Sequence, residues 1–235
     1  MIRRLLRRGR WELQTFRLSR TARAVRRRHL TYLSPKKLRT LERCVDLIED
    51  HQVPGDILEA GVALGGSAIL LSTRAEAKRF HGYNVFGMIP PPGEKDPPEV
   101  HERYATIREG RSQGIGSEVY YGYRDDLFEH ARRVLAEFGA PVGDRVQLKR
   151  GLFEDTLHPT GPVALAHVDS DWYEPVRLCL SRIAPHVPQG GLIVLDDYHD
   201  YGGCRQAAVE FLAEHSEWRV VADAGSLVVG RVTPA

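Results

Sequence analysis

Short apolar runs alternate with amphipathic segments along most of the chain, and this alternation limits the possible folds more than any other feature. Five strand-like runs occur in order, "DILEAGV" (56–62), "HGYNVFG" (81–87), "RVQLKRG" (145–151), "PVALAHVDS" (162–170) and "GGLIVLDD" (190–197). Two further β-branched runs surround Ala224-Gly225 and predict a terminal antiparallel hairpin. The sequence therefore predicts an α/β fold with a doubly wound, mostly parallel seven-stranded sheet and helices on both faces.

The segments between the strands carry helix signals. "SPKKLRTLERCVDLIEDHQ" (34–52) has Ser34 as a candidate N-cap and Pro35 at the first helical position. "SAILLSTRAEAKRF" (67–80) predicts a second helix, directly after a glycine-rich turn.

The length and the cysteine pattern exclude several classes of protein. A chain of 235 residues suits one sizeable domain. Its three cysteines are far apart and lack CxxC spacing, which argues against a disulfide framework or zinc site and favours a reducing cytosol. No apolar run approaches the roughly 20 residues that span a bilayer, and the first residues lack the apolar core of a secretory signal. We expect a cytoplasmic protein.

The charge is distributed unevenly. The formal charge is +2, yet residues 1–28 hold eleven arginines and one acid, a balance of +10 that leaves −8 for the remainder. We treat residues 1–30 as a basic arm that packs on its own acidic domain or a partner subunit, or lies peripherally on an anionic membrane. Nucleic acid is a less favoured partner for an acidic body.

A long Pro- and Gly-rich segment interrupts the alternation at about residues 88–122. Loops of this length are usually functional lids or disordered segments. We predict a lid inserted into a single domain of residues 31–235. Its Arg103, Tyr104, Arg108 and Arg111 indicate a polar, sugar-like ligand.

Four aspartates end two neighbouring strands, and they are the strongest functional signal. Asp169 and Asp171 follow one apolar run, and Asp196 and Asp197 follow the next. Ligands of such folds bind beyond the carboxyl ends of the strands. Converging carboxylates need a cation or a tuned proton-transfer role, although Asp171 is also a plausible helix N-cap.

A glycine-rich turn after the first strand predicts a cofactor site. "LEAGVALGGS" (58–67) places Glu59 before Gly61, Gly65 and Gly66. Glycine lets the backbone approach a ligand closely, while an acid at Glu59 disfavours phosphate. S-adenosylmethionine, which has a sulfonium and an amino group and lacks phosphate, suits this turn.

Taken together, "VPGDILEAGVALGGS", "HVDSDWYEPV", "GGLIVLDDYHDYGGCRQAAVEF" and "GLFEDTL" resemble the macrocin O-methyltransferase family over roughly residues 31–215. Members are Rossmann-like, S-adenosylmethionine-dependent enzymes that methylate sugar hydroxyls of natural products with a divalent metal, commonly Mg²⁺. The resemblance implies a cofactor site at Glu59, Gly61, Gly65, Gly66 and Ser67, metal ligands Asp169, Asp196 and Asp197, and Asp171 as general base. Where the family usually has an acid for the cofactor ribose, this chain has Asn84.

Other assignments of these residues remain open at the sequence level. His199 is an alternative base, and His158 and His167 are further histidines near the motifs, His167 being expected in the core. Trp172, Tyr173 and Tyr198 could offer a face to a sugar or simply pack.

Two alternative functions also remain open. Asp-Ser-Asp resembles the DxD site of a metal-dependent glycosyltransferase, and the basic arm would suit a non-catalytic membrane- or partner-binding protein. For the methyltransferase we expect a small-molecule or oligosaccharide glycoside as acceptor and a homo-oligomer as the assembly.

Overall fold

A computed structural model describes residues 18–232 and contains one seven-stranded sheet. The strands are β1 (Asp56–Ala60), β2 (Phe80–Asn84), β3 (Val146–Arg150), β4 (Val163–Val168), β5 (Leu192–Leu195), β6 (Trp218–Asp223) and β7 (Leu227–Arg231). Their order is β3-β2-β1-β4-β5-β7-β6, with β1 to β5 parallel and β7 antiparallel to both β5 and β6. The predicted sheet and its terminal hairpin are confirmed.

Helices connect the strands and cover both faces of the sheet. They are α1 (Arg20–Arg27), α2 (Pro35–Asp50), α3 (Gly66–Arg74), α4 (Pro98–Arg108), α5 (Leu127–Glu137), α6 (Phe153–Thr156), α7 (Tyr173–Ile183) and α8 (Gly202–Glu214). Helix α2 begins as predicted, because the Ser34 side chain accepts a hydrogen bond from the Lys37 backbone N–H at 3.2 Å.

The two faces of the sheet bury separate apolar clusters. Alternate residues of β1 show the division, since Ile57 packs with α1, α2, α3 and α5, whereas Leu58 packs with α7 and α8. Burial on both faces explains why the parallel strands are almost continuously apolar in sequence.

Two helical segments differ from the sequence prediction. Helix α3 ends at Arg74 rather than continuing to residue 80, because Phe80 belongs to β2, where it pairs with Ile57 and is 1% exposed. The 88–122 segment is not uniformly irregular. It contains α4, which buries Val100 and Ile107, a pair spaced by two turns that the weak apolar pattern concealed.

The N-terminal part of the described chain packs on the body. Ala22 and Val25 of α1 are fully buried, and the Ser19 backbone N–H donates to Glu42 at 3.0 Å. Arg28 forms an ion pair with Glu137. Residues 18–30 therefore contact the domain directly, while residues 1–17, which carry much of the basic arm, lie outside the described residues. Within residues 18–232 no helix is long and apolar enough to cross a membrane.

Candidate functional site

A cavity of about 480 Å³ opens at the carboxyl ends of β1, β2, β4 and β5. Its walls come from the turn after β1, the end of β2, the acidic ends of β4 and β5, the start of α2 and the 88–122 segment. This position follows from the topology, because parallel strands bring their carboxyl ends to one edge of the sheet. The predicted residues that line the cavity are Gly61, Ser67, Asn84, Asp169, Asp171, Asp196 and Asp197.

The glycines of the turn are explained by close backbone contacts. Gly61 has φ +109°, and a Cβ there would lie 2.0 Å from the Asp169 carbonyl oxygen. Gly66 donates its N–H to the Leu30 carbonyl at 2.9 Å, and a Cβ would lie 2.3 Å from that oxygen. Gly65 caps α3 with φ +90°. Of the three, Gly61 lines the cavity, whereas Gly65 and Gly66 shape the turn.

Glu59 lies beneath the cavity, and the described lining does not include it. It pairs in register with His167 of β4, so both side chains lie on the same face of the sheet. His167 Nδ1–H donates to Glu59 Oε1 at 2.8 Å, and both side chains are fully buried. Glu59 Oε2 is buried and has no hydrogen-bond partner among the described residues, so the cofactor contact of Glu59 stays a prediction. His167 is in the core as expected.

Asn84 at the end of β2 presents an unused donor. Its Oδ1 accepts from the Ala63 N–H at 3.4 Å, whereas its buried Nδ2 has no hydrogen-bond partner among the described residues. Buried polar groups are nearly always paired in complete structures. The free amide N–H is therefore suited to a ligand oxygen in the cavity.

The four aspartates converge as the strand ends predict. One oxygen each from Asp169, Asp171 and Asp197 lie within 4.8 Å of one another. One oxygen each from Asp169 and Asp196 and a ring nitrogen of His167 form a second group within the same distance. Asp169 belongs to both groups. Of the other two predicted metal ligands, Asp196 belongs to the group with His167 and Asp197 to the group with Asp171. Asp197 Oδ2 is buried and lacks a hydrogen-bond partner within the described chain.

Burial and mutual repulsion raise the pKa of three of the four aspartates. Loss of bulk water and the charge of Asp196 raise the pKa of Asp169 to about 8, and loss of water raises that of Asp171 to about 6 despite a hydrogen bond with Asp197 and the charge of Arg103. Burial and the charge of Asp171 raise the pKa of Asp197 well above its usual range. Such shifts are expected where buried carboxylates lie close together.

Asp196 differs from its neighbours because cations contact it. Its Oδ1 accepts from Ser226 at 2.9 Å and lies 3.6 Å from His167 Nε2, and its Oδ2 accepts from Lys37 Nζ at 2.6 Å. Burial works against ionisation, but these contacts hold the pKa of Asp196 below its usual value. In turn, the two acids Asp196 and Glu59 outweigh burial and raise the pKa of His167 to about 10.

Aromatic side chains form part of the cavity wall. Trp172 and Tyr201 meet edge to face with ring centroids 5.5 Å apart, and Tyr120 and Tyr121 are 4.5 Å apart. Arg103 of α4 also lines the cavity, donates to Ser112 Oγ at 2.9 Å and lies 5.8 Å from the centroid of the Tyr120 ring. Arg108 and Arg111 are exposed, so of the three arginines predicted to contact a ligand only Arg103 reaches the cavity.

Contacts with Trp172 and Tyr173 hold the first half of the 88–122 segment over the cavity. Trp172 Nε1–H donates to the Pro90 carbonyl at 3.0 Å. Asp96, which is 5% exposed, accepts from the Tyr173 N–H at 2.8 Å and from the Gly93 N–H at 2.9 Å. Asp96 therefore joins this segment to the first turn of α7, whose N-terminal N–H groups lack partners within the helix.

A family model described as the macrocin O-methyltransferases (TylF) matches residues 14–221. The chain belongs to this family. The sequence prediction of an S-adenosylmethionine-dependent O-methyltransferase is confirmed, and the glycosyltransferase and non-catalytic alternatives are set aside.

Two curated relatives of this chain are from Streptomyces. The chain is 31% identical over 185 residues to 8-demethyl-8-(2,3-dimethoxy-alpha-L-rhamnosyl)-tetracenomycin-C 4'-O-methyltransferase of Streptomyces olivaceus, covering 74% of this chain and 67% of the relative. It is 29% identical over 197 residues to demethyldecarbamoylnovobiocin O-methyltransferase of Streptomyces niveus, covering 78% and 68%.

The fold of this chain resembles the solved structure of the O-methyltransferase NovP. The TM-score is 0.70 with 23% identity, over 86% of this chain and 82% of NovP. This likeness confirms the predicted Rossmann-like methyltransferase fold.

Sequence reasoning missed Lys37 and Asp96, and the two alternative histidine bases lie outside the described lining of the cavity. Lys37 carried no signal beyond its place in a helix, and Asp96 sits among prolines that favour a loop. Both act through contacts between segments distant in the chain, and one sequence does not show such contacts. His199, the alternative base, is bonded to Asp223 at 2.6 Å and is not part of the described lining; His158 is exposed and also outside it.

Proposed function

We propose that this methyltransferase transfers the methyl group of S-adenosylmethionine to a sugar hydroxyl of a glycosylated natural product, with a divalent cation orienting the acceptor. The wider class of acceptors also includes glycolipids and polysaccharides. The observation that carries the proposal is a single cavity in which the glycine turn, the aspartates and an aromatic wall face one another.

The cofactor would bind between the glycine turn and the end of β2. Gly61 and Ser67 line this side, and the free Nδ2–H of Asn84 would donate to a ribose hydroxyl. Because Asn84 is uncharged, this hydrogen bond is weaker than the one a carboxylate would make.

The acids fit a divalent cation such as Mg²⁺, which prefers oxygen ligands. Asp169, Asp196 and Asp197 would hold it, and the free Asp197 Oδ2 supports this assignment. When bound, such an ion orients the hydroxyl groups of an acceptor and lowers their pKa.

Asp171 is proposed as the general base. It lines the cavity beside Asp169 and Asp197, and it makes no ion pair with Lys37 among the contacts of the described residues. As the acceptor oxygen bonds to the methyl carbon and the carbon–sulfur bond breaks, an Asp171 carboxylate oxygen takes the hydroxyl proton. S-adenosylhomocysteine and the methyl ether are then the products.

The acceptor would lie against the aromatic wall. Trp172 and Tyr201 offer apolar faces with polar edges, and Arg103 offers donors to sugar oxygens. The Streptomyces olivaceus relative, whose name specifies a rhamnosyl acceptor, supports a sugar at this position.

Four proposals extend beyond the cavity. The 88–122 segment acts as a lid of the single domain; the basic arm contacts a membrane surface, its own body or a partner; the assembly is a homo-oligomer; and the protein works in the cytoplasm. The position of α4 over the cavity supports the lid. The arginine-rich N-terminus supports the contact made by the basic arm.

A methyl-transfer assay with labelled S-adenosylmethionine tests the acceptor class. The panel would contain rhamnosylated polyketides, other macrolide glycosides and simple catechols, each with and without Mg²⁺. We expect Mg²⁺-dependent transfer to one or more glycosides. Transfer to catechols alone would contradict a sugar acceptor.

A further inference from the structure

Lys37 places a positive charge inside the group of aspartates. Its Nζ lies 2.6 Å from Asp196 Oδ2, 2.6 Å from Asp200 Oδ2 and 3.9 Å from Asp197 Oδ1. The Lys37 side chain is 13% exposed. Two of the acids proposed to hold a divalent cation are therefore already in contact with a cation of the protein itself.

The position of Lys37 on its helix is electrostatically unfavourable without these acids. It lies in the first turn of α2, where the unpaired N–H groups give the helix end a partial positive charge. A lysine at that end is disfavoured, and most of its side chain is also removed from water. The contacts with Asp196 and Asp200 offset both costs.

The contrast between Asp196 and Asp197 shows what close contact with Lys37 provides, since Nζ lies 2.6 Å from Asp196 Oδ2 and 3.9 Å from Asp197 Oδ1. Asp196 has both oxygens hydrogen-bonded, to Ser226 and Lys37, whereas Asp197 Oδ2 has no partner among the described residues. A cluster of carboxylates with no counter-charge would repel itself. Lys37 relieves part of that repulsion.

We propose that Lys37 is a built-in counter-cation that competes with the divalent ion for Asp196 and Asp197. It thereby sets the metal affinity of the site and keeps the acids together when no metal is bound. The inference rests on the metal-dependent function proposed above.

Asp200 already contacts Lys37 and would remain its partner when a divalent ion enters. Its side chain is 51% exposed and lies at the mouth of the cavity. Repulsion between the ion and Nζ would move Lys37 toward Asp200 and away from Asp196, with little change in the helix. The cost of that rearrangement and the repulsion lower the metal affinity of the native protein.

Isothermal titration of the purified full chain with Mg²⁺ and with Mn²⁺ tests the inference, alongside thermal unfolding in EDTA and in saturating Mg²⁺. We expect Lys37→Met to bind both metals about tenfold to 100-fold more tightly, since one like charge is removed from the site. In EDTA the same variant should unfold at a lower temperature than the native protein, and Mg²⁺ should close the gap.

Two control variants separate charge from structure. Lys37→Arg retains the charge and should bind metal like the native protein. Lys36→Met removes an exposed neighbour on the same helical turn and should change neither affinity nor stability. A variant that was merely damaged would bind metal more weakly, which is opposite to the expected direction.

Two results would overturn the inference. Equal or weaker metal binding by Lys37→Met, with normal binding by the native protein, would overturn this inference alone. Absence of metal binding in both proteins would overturn it together with the metal part of the proposed function.

Discussion

Asp196 and Asp197 are adjacent and identical, yet their surroundings give them different properties. Asp196 contacts Lys37, Ser226 and His167, and its pKa is lowered. Asp197 faces two other aspartates, and its pKa is raised. At this scale, chemical role is decided by what each carboxylate touches and not by its type.

Asp171→Asn should lower kcat by about 10²–10⁴, the usual contribution of a general base. The amide keeps the shape of the side chain but does not accept the proton of the acceptor. Steady-state kinetics with a responsive glycoside would measure the loss, and Mg²⁺ titration should show retained metal binding. Asp125→Asn, at an exposed site outside the described lining, is the matched control. Normal turnover by Asp171→Asn would exclude Asp171 as the base.

Asn84→Ala should weaken S-adenosylhomocysteine binding by about 1 kcal/mol, the net worth of one ordinary hydrogen bond. Asn84→Asp should bind more tightly than the native protein, because a carboxylate accepts a stronger hydrogen bond from a ribose hydroxyl. Calorimetry without acceptor measures both. Identical affinities for all three proteins would show that the end of β2 does not contact the ribose.

Glu59 shows which contacts of the site are not defined by local sequence. An acid before a glycine turn suggests a cofactor contact, and the turn itself was correctly placed. The direction of the Glu59 side chain depends on the register between β1 and β4, which sets it beside His167. That register comes from tertiary packing, and local sequence carries no signal for it.

At the scale of elements, the 88–122 segment combines a helix with loops and is joined to two helices of the body. Asp96 accepts from the first turn of α7, and a Cβ on Gly203 of α8 would lie 2.1 Å from Asp96 Oδ1. This close packing explains a small residue at the start of α8. The segment is therefore attached at its first half, next to Trp172.

Asp96→Ala should destabilise the start of α7 by about 0.5–2 kcal/mol, as loss of an N-terminal cap does, and should loosen the lid. Limited proteolysis should cut within residues 88–122 first, faster in the variant than in the native protein, with protection by cofactor and acceptor. Glu94→Ala, two residues away and exposed, is the control. Resistance of this segment in every protein would argue against a lid.

The elements themselves were largely predictable, for physical reasons that differ between them. The parallel strands are buried on both faces, so each appears as an apolar run, and Ser34-Pro35 marks the start of α2. Helix α4 was missed, because it buries only Val100 and Ile107 and lacks a continuous apolar face. Short segments such as α6 carry too few residues to show a period.

At the scale of the whole molecule, the topology gathers the glycine turn, the acids and the 88–122 segment at one edge of the sheet. The ends of β1 and β4 touch through Gly61 and Asp169, so the glycine turn and the acids lie side by side along the cavity. The overall charge of the domain body is negative, and the cavity is lined by acids. Cations are thus attracted to the edge of the sheet that is proposed to hold the reaction site.

Removal of divalent metal should abolish methyl transfer, and added Mg²⁺ should restore it. The reason is that Asp169, Asp196 and Asp197 would otherwise repel one another and leave the acceptor unoriented. S-adenosylhomocysteine binding should largely survive in EDTA, because the glycine turn and Asn84 form a separate part of the wall. Full activity in excess EDTA would contradict a metal-dependent enzyme.

The bond from the Gly66 N–H to the Leu30 carbonyl has a practical consequence for protein engineering. Through this bond, the backbone just before Thr31 supports the glycine turn, together with the buried side chains of α1. A shortened protein that starts at Thr31 should therefore express poorly or lose cofactor affinity, whereas one that starts at Leu18 keeps these contacts. Purification tags and fusion partners belong upstream of Leu18, with α1 left intact.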